Sequence, residues 1–224
     1  MAGTTLPLFR SIAVVATCIL AGVASAAFAQ TDVATVAIDA MVVGAAPAGF
    51  DFSRTGQGSE GQWVVVDDAT ADGHRAIEQS STDATDYRFP LAIYRSPQAG
   101  NVEVAVRFKA VAGRVDRAGG IAVRLSDPDN YYVVRANALE DNVRFYRVVK
   151  GVREQLGGAD IKVASDQWHT LALKVDGDRF MISLNGQDLY TVTDKTFANP
   201  GKVALWTKAD SVTRFDRVRI TLRP

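Results

Sequence analysis

Two glycine turns set one strand apart constrain this chain more than any other feature in it. Residues 168–175 alternate polar and apolar side chains, Asp176-Gly177-Asp178 breaks the run, and residues 179–184 resume it. Asn185-Gly186 then breaks it again before residues 189–192. Asp-Gly and Asn-Gly favour hairpins because they tolerate positive φ, the hand that matches the twist of paired strands. Two such turns in succession specify an antiparallel meander, and residues 202–206 add a further strand after a loop.

The rest of the chain repeats the pattern. Apolar or alternating runs at 35–38, 62–66, 75–80, 91–94, 102–108, 120–125, 131–135, 143–149 and 218–222 are separated by Gly, Asp, Asn and Pro. Residues 53–61 are polar and glycine-rich and predict a loop. Short strands with turn signals between them, and no sustained 3.6-residue period, specify an all-β sandwich or barrel.

The N-terminus reads differently. Arg10, the apolar run 12–23 and Ala27-Phe28-Ala29 form the three parts of a secretory leader. The apolar run is shorter than the ~20 residues a membrane span needs. The expected organisation is a helical signal peptide at 1–29, an N-terminal edge segment at 30–46 and a single β domain at 47–224, delivered to a bacterial periplasm or the exterior. Cys18, the only cysteine, falls within the leader. The exported domain therefore relies on its core rather than on disulfides. Lys and Arg number 25 against 25 Asp and Glu, so the chain lacks the basic footprint of a nucleic-acid binder.

Strand alternation sorts side chains onto two faces. Ile121, Val123 and Leu125 point inward and push Arg124 out; Val143 and Phe145 share one face, Arg144 and Tyr146 the other; Val203 and Leu205 point inward, Trp206 and Lys208 away. Sugars offer apolar CH faces and hydroxyls, which suit aromatic rings flanked by multi-donor guanidinium groups. Arg outnumbers Lys by 18 to 7, which favours fork-like recognition of carboxylates, and so of acidic sugars, on the same face. The candidate ligand-binding set is Arg88, Arg124, Arg135, Arg144, Tyr146, Trp206 and Lys208. Exposed strand faces also carry Arg and Tyr simply for cross-strand pairing.

Three stretches together carry a family likeness: 127–136 (DPDNYYVVRA), the hairpin 175–186 (VDGDRFMISLNG) and 201–218, which opens GKVALWTKADS and closes FDRV. Over residues 47–222 the chain resembles concanavalin A-like lectin/glucanase domains, above all laminin-G-type jelly rolls and the 3-keto-disaccharide hydrolase (family-16-like glycoside hydrolase) domains of exported bacterial proteins. The resemblance implies a two-sheet antiparallel jelly-roll sandwich whose concave sheet and rim loops bind glycan. It stops short of catalysis. The Glu-x-Asp-x-x-Glu strand motif of family-16 hydrolases is absent, and Glu60, Glu78, Glu103, Glu140 and Glu154 are far apart. Glu103 with Asp216 is the pair that separate strands could assemble for the paired-carboxylate chemistry of a glycosidase.

Other motifs read as turns. Asp127, Asp129 and Asn130 offer oxygen ligands for Ca²⁺ but also have the composition of a tight turn. Residues 56–61 match G-x-G-x-x-G, yet a strand rather than a helix follows. His74 and His169 lack metal-ligand spacing, and the parity of His169 with Leu171 and Leu173 predicts a packed strand-end side chain. The functional expectation is an exported, non-catalytic carbohydrate-binding domain without a required cofactor. The alternatives are a glycoside or 3-keto-disaccharide hydrolase and an envelope scaffold or adhesion module that binds protein.

Overall fold

The computed structural model describes residues 1–3, 32–95 and 98–223. The expected leader lies almost wholly outside the described residues. Among the described residues fifteen strands, numbered in chain order, form two sheets. Across the eight-stranded sheet run β13 (Gln187–Thr193), β12 (Arg179–Leu184), β11 (Trp168–Asp176), β6 (Val102–Ala112), β15 (Val212–Leu222), β4 (Arg75–Gln79) and β3 (Trp63–Asp67), with β1 (Val33–Thr35) also paired to β15. The seven-stranded sheet has the order β10 (Val152–Asp160), β9 (Asn142–Val149), β8 (Asn130–Asn137), β7 (Ala118–Asp127), β14 (Lys202–Trp206), β5 (Arg88–Tyr94) and β2 (Phe50–Gly56). This is an all-β, two-sheet antiparallel sandwich of jelly-roll type.

The meander forms as its turns require. Gly177 has φ 57°, and Asn185 and Gly186 have φ 52° and 79°. That leaves a two-residue loop between the paired Leu184 and Gln187, the geometry of a type I′ hairpin. The strands' inward residues, among them Val104, Val106, Phe108, Leu171, Leu173, Phe180, Phe145 and Leu205, meet in one buried core between the sheets. His169 packs with them at the strand end, its ring nitrogens 3.0 Å from the Ala164 carbonyl oxygen and 3.1 Å from Asn185 Nδ2.

Three stretches depart from the sequence reading, the first being the edge strand expected at 35–38, which lies instead at β1 and is followed by a 3₁₀ turn at Ile38–Ala40. β2 occupies part of the stretch read as a loop, and β10 forms where no strand was expected. Both are terminal members of the seven-stranded sheet, and edge strands need fewer apolar residues because backbone pairing on one side holds them.

Arg124 departs too. The β7–β8 register shifts between Val123 and Asp127, and Arg124 itself has φ 50°. This bulge cancels the alternation that would have aimed the side chain at solvent. The guanidinium is instead buried over the Phe180 ring and donates to the carbonyls of Gly100, Phe197 and Gly177. It clamps three loops at one end of the sandwich. At another point the chain's acids do similar work. Asp68, just past β3, accepts from Lys109 on β6 (2.5 Å), Arg214 on β15 (2.9 Å) and the Thr70 hydroxyl (2.6 Å). Burial alone would push its carboxyl up, but these hydrogen bonds outweigh that and hold it well below the ordinary value of 3.8.

Replacing Arg124 by Met leaves three carbonyls without their donor and should cost about 3 kcal/mol, read as a lower midpoint in urea denaturation. Asp68 gives a pH signature. Its carboxyl is depressed in the native state, so its stabilisation is present above the ordinary carboxylate range and lost as pH falls. The stability difference between the wild type and Asp68→Asn should therefore be widest near neutrality and narrow below about pH 4.

Candidate functional site

The seven-stranded sheet is rolled, and the roll creates the site. Thr55 on β2 and Tyr131 on β8 are four strand positions apart, which in a flat sheet is ~19 Å. Their hydroxyls are 2.7 Å apart. The hydroxyl of Tyr87, the residue just before β5, likewise donates to the Gly151 carbonyl (2.9 Å) in the β9–β10 hairpin and accepts from the Arg153 amide (2.9 Å). Opposite corners of the sheet are thus tied together over its outer face, which becomes a hollow.

That hollow is filled. Phe89, Leu91, Ala122, Tyr131, Val133, Tyr146, Val148 and Trp206 form a second buried cluster distinct from the core between the sheets. A column of rings and cations runs through it. Trp206 stacks on Phe89 with centroids 5.3 Å apart and planes 17° from parallel. The Arg153 guanidinium is 4.8 Å from Phe89 and 4.4 Å from Tyr146, and Arg135 is 5.8 Å from the other member of that pair, Tyr146. The indole N–H of Trp206 donates to the Tyr131 hydroxyl, 3.3 Å away. Burial pushes the Tyr131 phenol up to about 12, against the opposing hydrogen bonds of Thr55 and Trp206.

The expected binding residues divide accordingly. Arg135, Arg144, Tyr146 and Trp206 do share one face: Trp206 is opposite Gly120, Gly120 opposite Arg135, Arg135 opposite Arg144, and Tyr146 opposite Val133. Lys208 joins them through Asp116, which Asn137 on β8 also contacts. Trp206, however, is 0 % exposed and spends its ring on Phe89, so the outward platform read from its parity is an interior one. Arg124, as shown, points elsewhere. Arg88 is also fully buried, and its donors go to the carbonyls of Ser59, Ala209 and Glu60 and to the Ser81 hydroxyl. It staples the 57–61 and 80–86 loops and does not belong to an exposed set.

At the rim of the hollow the charged groups come in pairs. Arg135 donates to Glu140 (2.8 Å) and to the Tyr146 hydroxyl (3.2 Å), Arg144 to Asp160 (2.5 Å), and Lys208 to Asp86 (2.9 Å) and Asp116 (3.0 Å). Gly158 lets Arg144 lie flat against β10, since a Cβ there would come 2.4 Å from Arg144 Cδ. Burial pushes the Asp116 carboxyl up despite Lys208. For Glu140 burial acts in the same direction, but Arg135 and Asn142 prevail and hold it down. Tyr87, 40 % exposed, presents an aromatic edge beside this rim. Tyr87 and Arg153 are the site residues that sequence reading missed. Arg153 lies on the unexpected β10, and Tyr87 precedes the alternating part of β5.

The remaining candidates sit apart. On the outer face of the other sheet, Glu103 is opposite Thr221 and Asp216 opposite Arg107. Four residues along β6 separate these positions by ~13 Å, against the ~5–9.5 Å that glycosidase pairs require. Their partners are Arg223 and Arg107, so the two do not form an acid–nucleophile pair. The Asp127 carboxylate accepts from the Asp129 amide and Asn130 Nδ2, and Asn130 Oδ1 from the Lys150 amide. A cation at Asp127, Asp129 and Asn130 would have to displace these donors. Among the described residues no helix is long and apolar enough to cross a membrane.

Comparison with known proteins agrees with this architecture. The carbohydrate-binding module CBM66 from Bacillus subtilis superposes with a TM-score of 0.58 at 20% identity, covering 75% of this chain and 94% of that one. Domain 4 of AbnA, a GH43 extracellular arabinanase from Geobacillus stearothermophilus solved with arabinotriose, gives 0.56 at 13% identity, covering 87% and 94%. The Bacillus licheniformis β-glucanase gives 0.52 at 14% identity, covering 79% and 94%. At these identities the likeness establishes the fold. No curated protein matches the chain in sequence. The family model described as "Galactocerebrosidase, C-terminal lectin domain" matches residues 90–222, and with more than half its length matched this chain belongs to that lectin-domain family.

Proposed function

We propose that this chain is an exported, non-catalytic carbohydrate-binding domain that takes a saccharide at the rim of the rolled sheet. The observation that carries this reading is the set of ion pairs Arg135–Glu140, Arg144–Asp160 and Lys208–Asp86 standing around one buried column. Arg144–Asp160 and Lys208–Asp86 set donors beside acceptors, the complement of a sugar's neighbouring hydroxyls. The buried Arg135 holds Glu140 in place as a further acceptor, and the pairs balance in charge, which suits a neutral glycan. The column below fixes Arg135, and Asp160 and Asp116 hold Arg144 and Lys208, before any ligand arrives, so less ordering cost accompanies binding. Tyr87 supplies the apolar face. Membership of a lectin-domain family and the likeness to carbohydrate-binding modules support the same reading.

Hydrolysis has weaker support. Asp116 and Glu140 have proton affinities pushed in opposite directions, a pattern seen in acid–base pairs. Asp116, though, is 1% exposed and held by Lys208, Asn137 and the Arg117 amide, so it does not reach a glycosidic oxygen.

Calorimetric titration with neutral oligosaccharides should show binding that Arg144→Ala and Tyr87→Ala each weaken by about fivefold to tenfold. Thermal unfolding should be little changed in Arg144→Ala and lowered in Tyr87→Ala, which loses its ties to Gly151, Arg153 and Phe89. A folded protein that binds no saccharide, or binding indifferent to both substitutions, would overturn the proposal.

A further inference from the structure

We propose a second binding site, separate from the rolled sheet: a trough across the outer face of the eight-stranded sheet that takes an extended, uronate-bearing glycan chain. One cross-strand row defines its floor. Asp188 on β13 is opposite Ser183 on β12, Ser183 opposite Ala172 on β11, Ala172 opposite Ala105 on β6, Ala105 opposite Arg219 on β15, and Arg219 opposite Thr35 on β1. Six strands at ~4.8 Å spacing give the row a length of ~24 Å. The small side chains at its centre lie between longer ones on the flanking rows, Met181, Lys174 and Glu103 on one side and Thr170 and Arg107 on the other. The resulting depression is seen as two open grooves, of about 490 Å³ around Ala172 and about 380 Å³ around Ala105. The register pair Ala172–Ala105 joins them.

Charge selects the occupant. Among the groove-lining acids, Glu103 is committed to Arg223 and Asp72 to Arg217. Lys174, Arg179 and Arg219 line the same grooves and hold no ion pair among the described residues. Asp188 is the one lining carboxylate left without a cation among them. The trough therefore carries a surplus of positive charge, whereas the rim of the rolled sheet is balanced. Beneath it, the ion pair of Arg107 with Asp216 is 3.1 Å long, yet Arg107 Nε and Asp216 Oδ1 lack a well-angled hydrogen bond. Asp216 is 1% exposed. Arg107, whose guanidinium also lies over the Trp168 ring, stands at the trough wall, where its planar fork matches a ligand carboxylate. Ser183, Thr170 and Thr35 add short hydroxyls at intervals along the row. Spaced cations with hydroxyl readers between them fit a sugar chain with carboxylates along it. A nucleic acid is the poorer fit. Of the rings at the trough, Tyr190 is half-buried with its hydroxyl on the Val143 carbonyl, and Trp168 is covered by Arg107 and Lys109. That leaves little face for bases to stack on, and Asp188 opposes a continuous run of phosphates.

The experiment uses the folded protein and three probes of similar length: an oligogalacturonide, a neutral maltooligosaccharide and single-stranded DNA. Oligogalacturonide binding is expected, weakening with added salt. Ala172→Tyr, which fills the floor, and the double variant Lys174→Gln/Arg219→Gln should each reduce affinity about tenfold. Arg144→Ala should leave oligogalacturonide binding unchanged, so failure here is distinct from failure at the rolled sheet, which the neutral-sugar titration reads. No oligogalacturonide binding by the wild type would overturn the proposal, as would affinity unaltered in both trough variants. DNA binding as tight as the oligogalacturonide and equally lost in the variants would also overturn it, since the trough would then be a general polyanion surface.

Discussion

The hydrogen bond between Thr55 and Tyr131 is the contact on which the shape of the seven-stranded sheet depends. Twist alone rotates neighbouring strands by about 20–25°, which bends a sheet without bringing its corners together. A buried tyrosine hydroxyl needs a partner, because an unpaired polar group away from water costs ~1–3 kcal/mol. Here Thr55 and Trp206 both supply one, and they come from strands on the far side of the hollow. Thr55 is itself anchored to the Pro128 carbonyl. The demand of one phenol for partners thus turns a curved surface into a closed one.

Closure changes what the outer face is made of. Once rolled, the sheet has apolar residues on both sides, and Trp206, Phe89 and Tyr146 are interior residues in a second core. Their rings fix Arg153 and Arg135 by contact with the guanidinium planes, an arrangement that favours Arg over Lys because a planar cation stacks and still donates in its own plane. Arg135 uses that freedom to hold Asn142, Glu140 and the Tyr146 hydroxyl at once. Rigidity is passed in this way from the buried rings to the polar groups at the rim.

The fold was legible in the sequence wherever alternation and turn chemistry agreed. Gly177 and Asn185-Gly186 have the positive φ that their positions demanded, and the meander they join follows. β10 was not legible, because its Glu154, Gln155, Gly157, Gly158 and Asp160 carry almost no apolar signal. What holds it is pairing with β9 together with the contacts of Arg153 and Leu156 that only the fold creates. The site was legible by face but not by depth. Alternation placed Arg135, Arg144, Tyr146 and Trp206 on one side of one sheet, yet period two says nothing about whether that side is later covered. Covering it took Tyr87 and Arg153, residues distant in sequence from the face they close. Arg124 failed for a local reason: a bulge at one residue reverses the parity of everything read through it.

The two sheets therefore solve opposite problems with the same residue types. On the rolled sheet each rim cation meets a carboxylate, and Asp116 is kept beneath Lys208 even though burial disfavours its charge. Such a surface attracts no particular sign and discriminates by hydrogen-bond geometry. The eight-stranded sheet stays open, since among the described residues no tyrosine hydroxyl bridges its corners as Tyr131 and Tyr87 do in the other sheet, and its central positions Ala172 and Ala105 are small. There Lys174, Arg179 and Arg219 are spread over three strands rather than paired, and their repulsion is tolerable because solvent screens exposed charges beyond roughly 8–10 Å. Unpaired cations on an open face cost little while the face is wet. They gain most when an anionic chain lies along it and displaces the water between them, whereas the rim's paired cations, already neutralised, gain little from such a ligand.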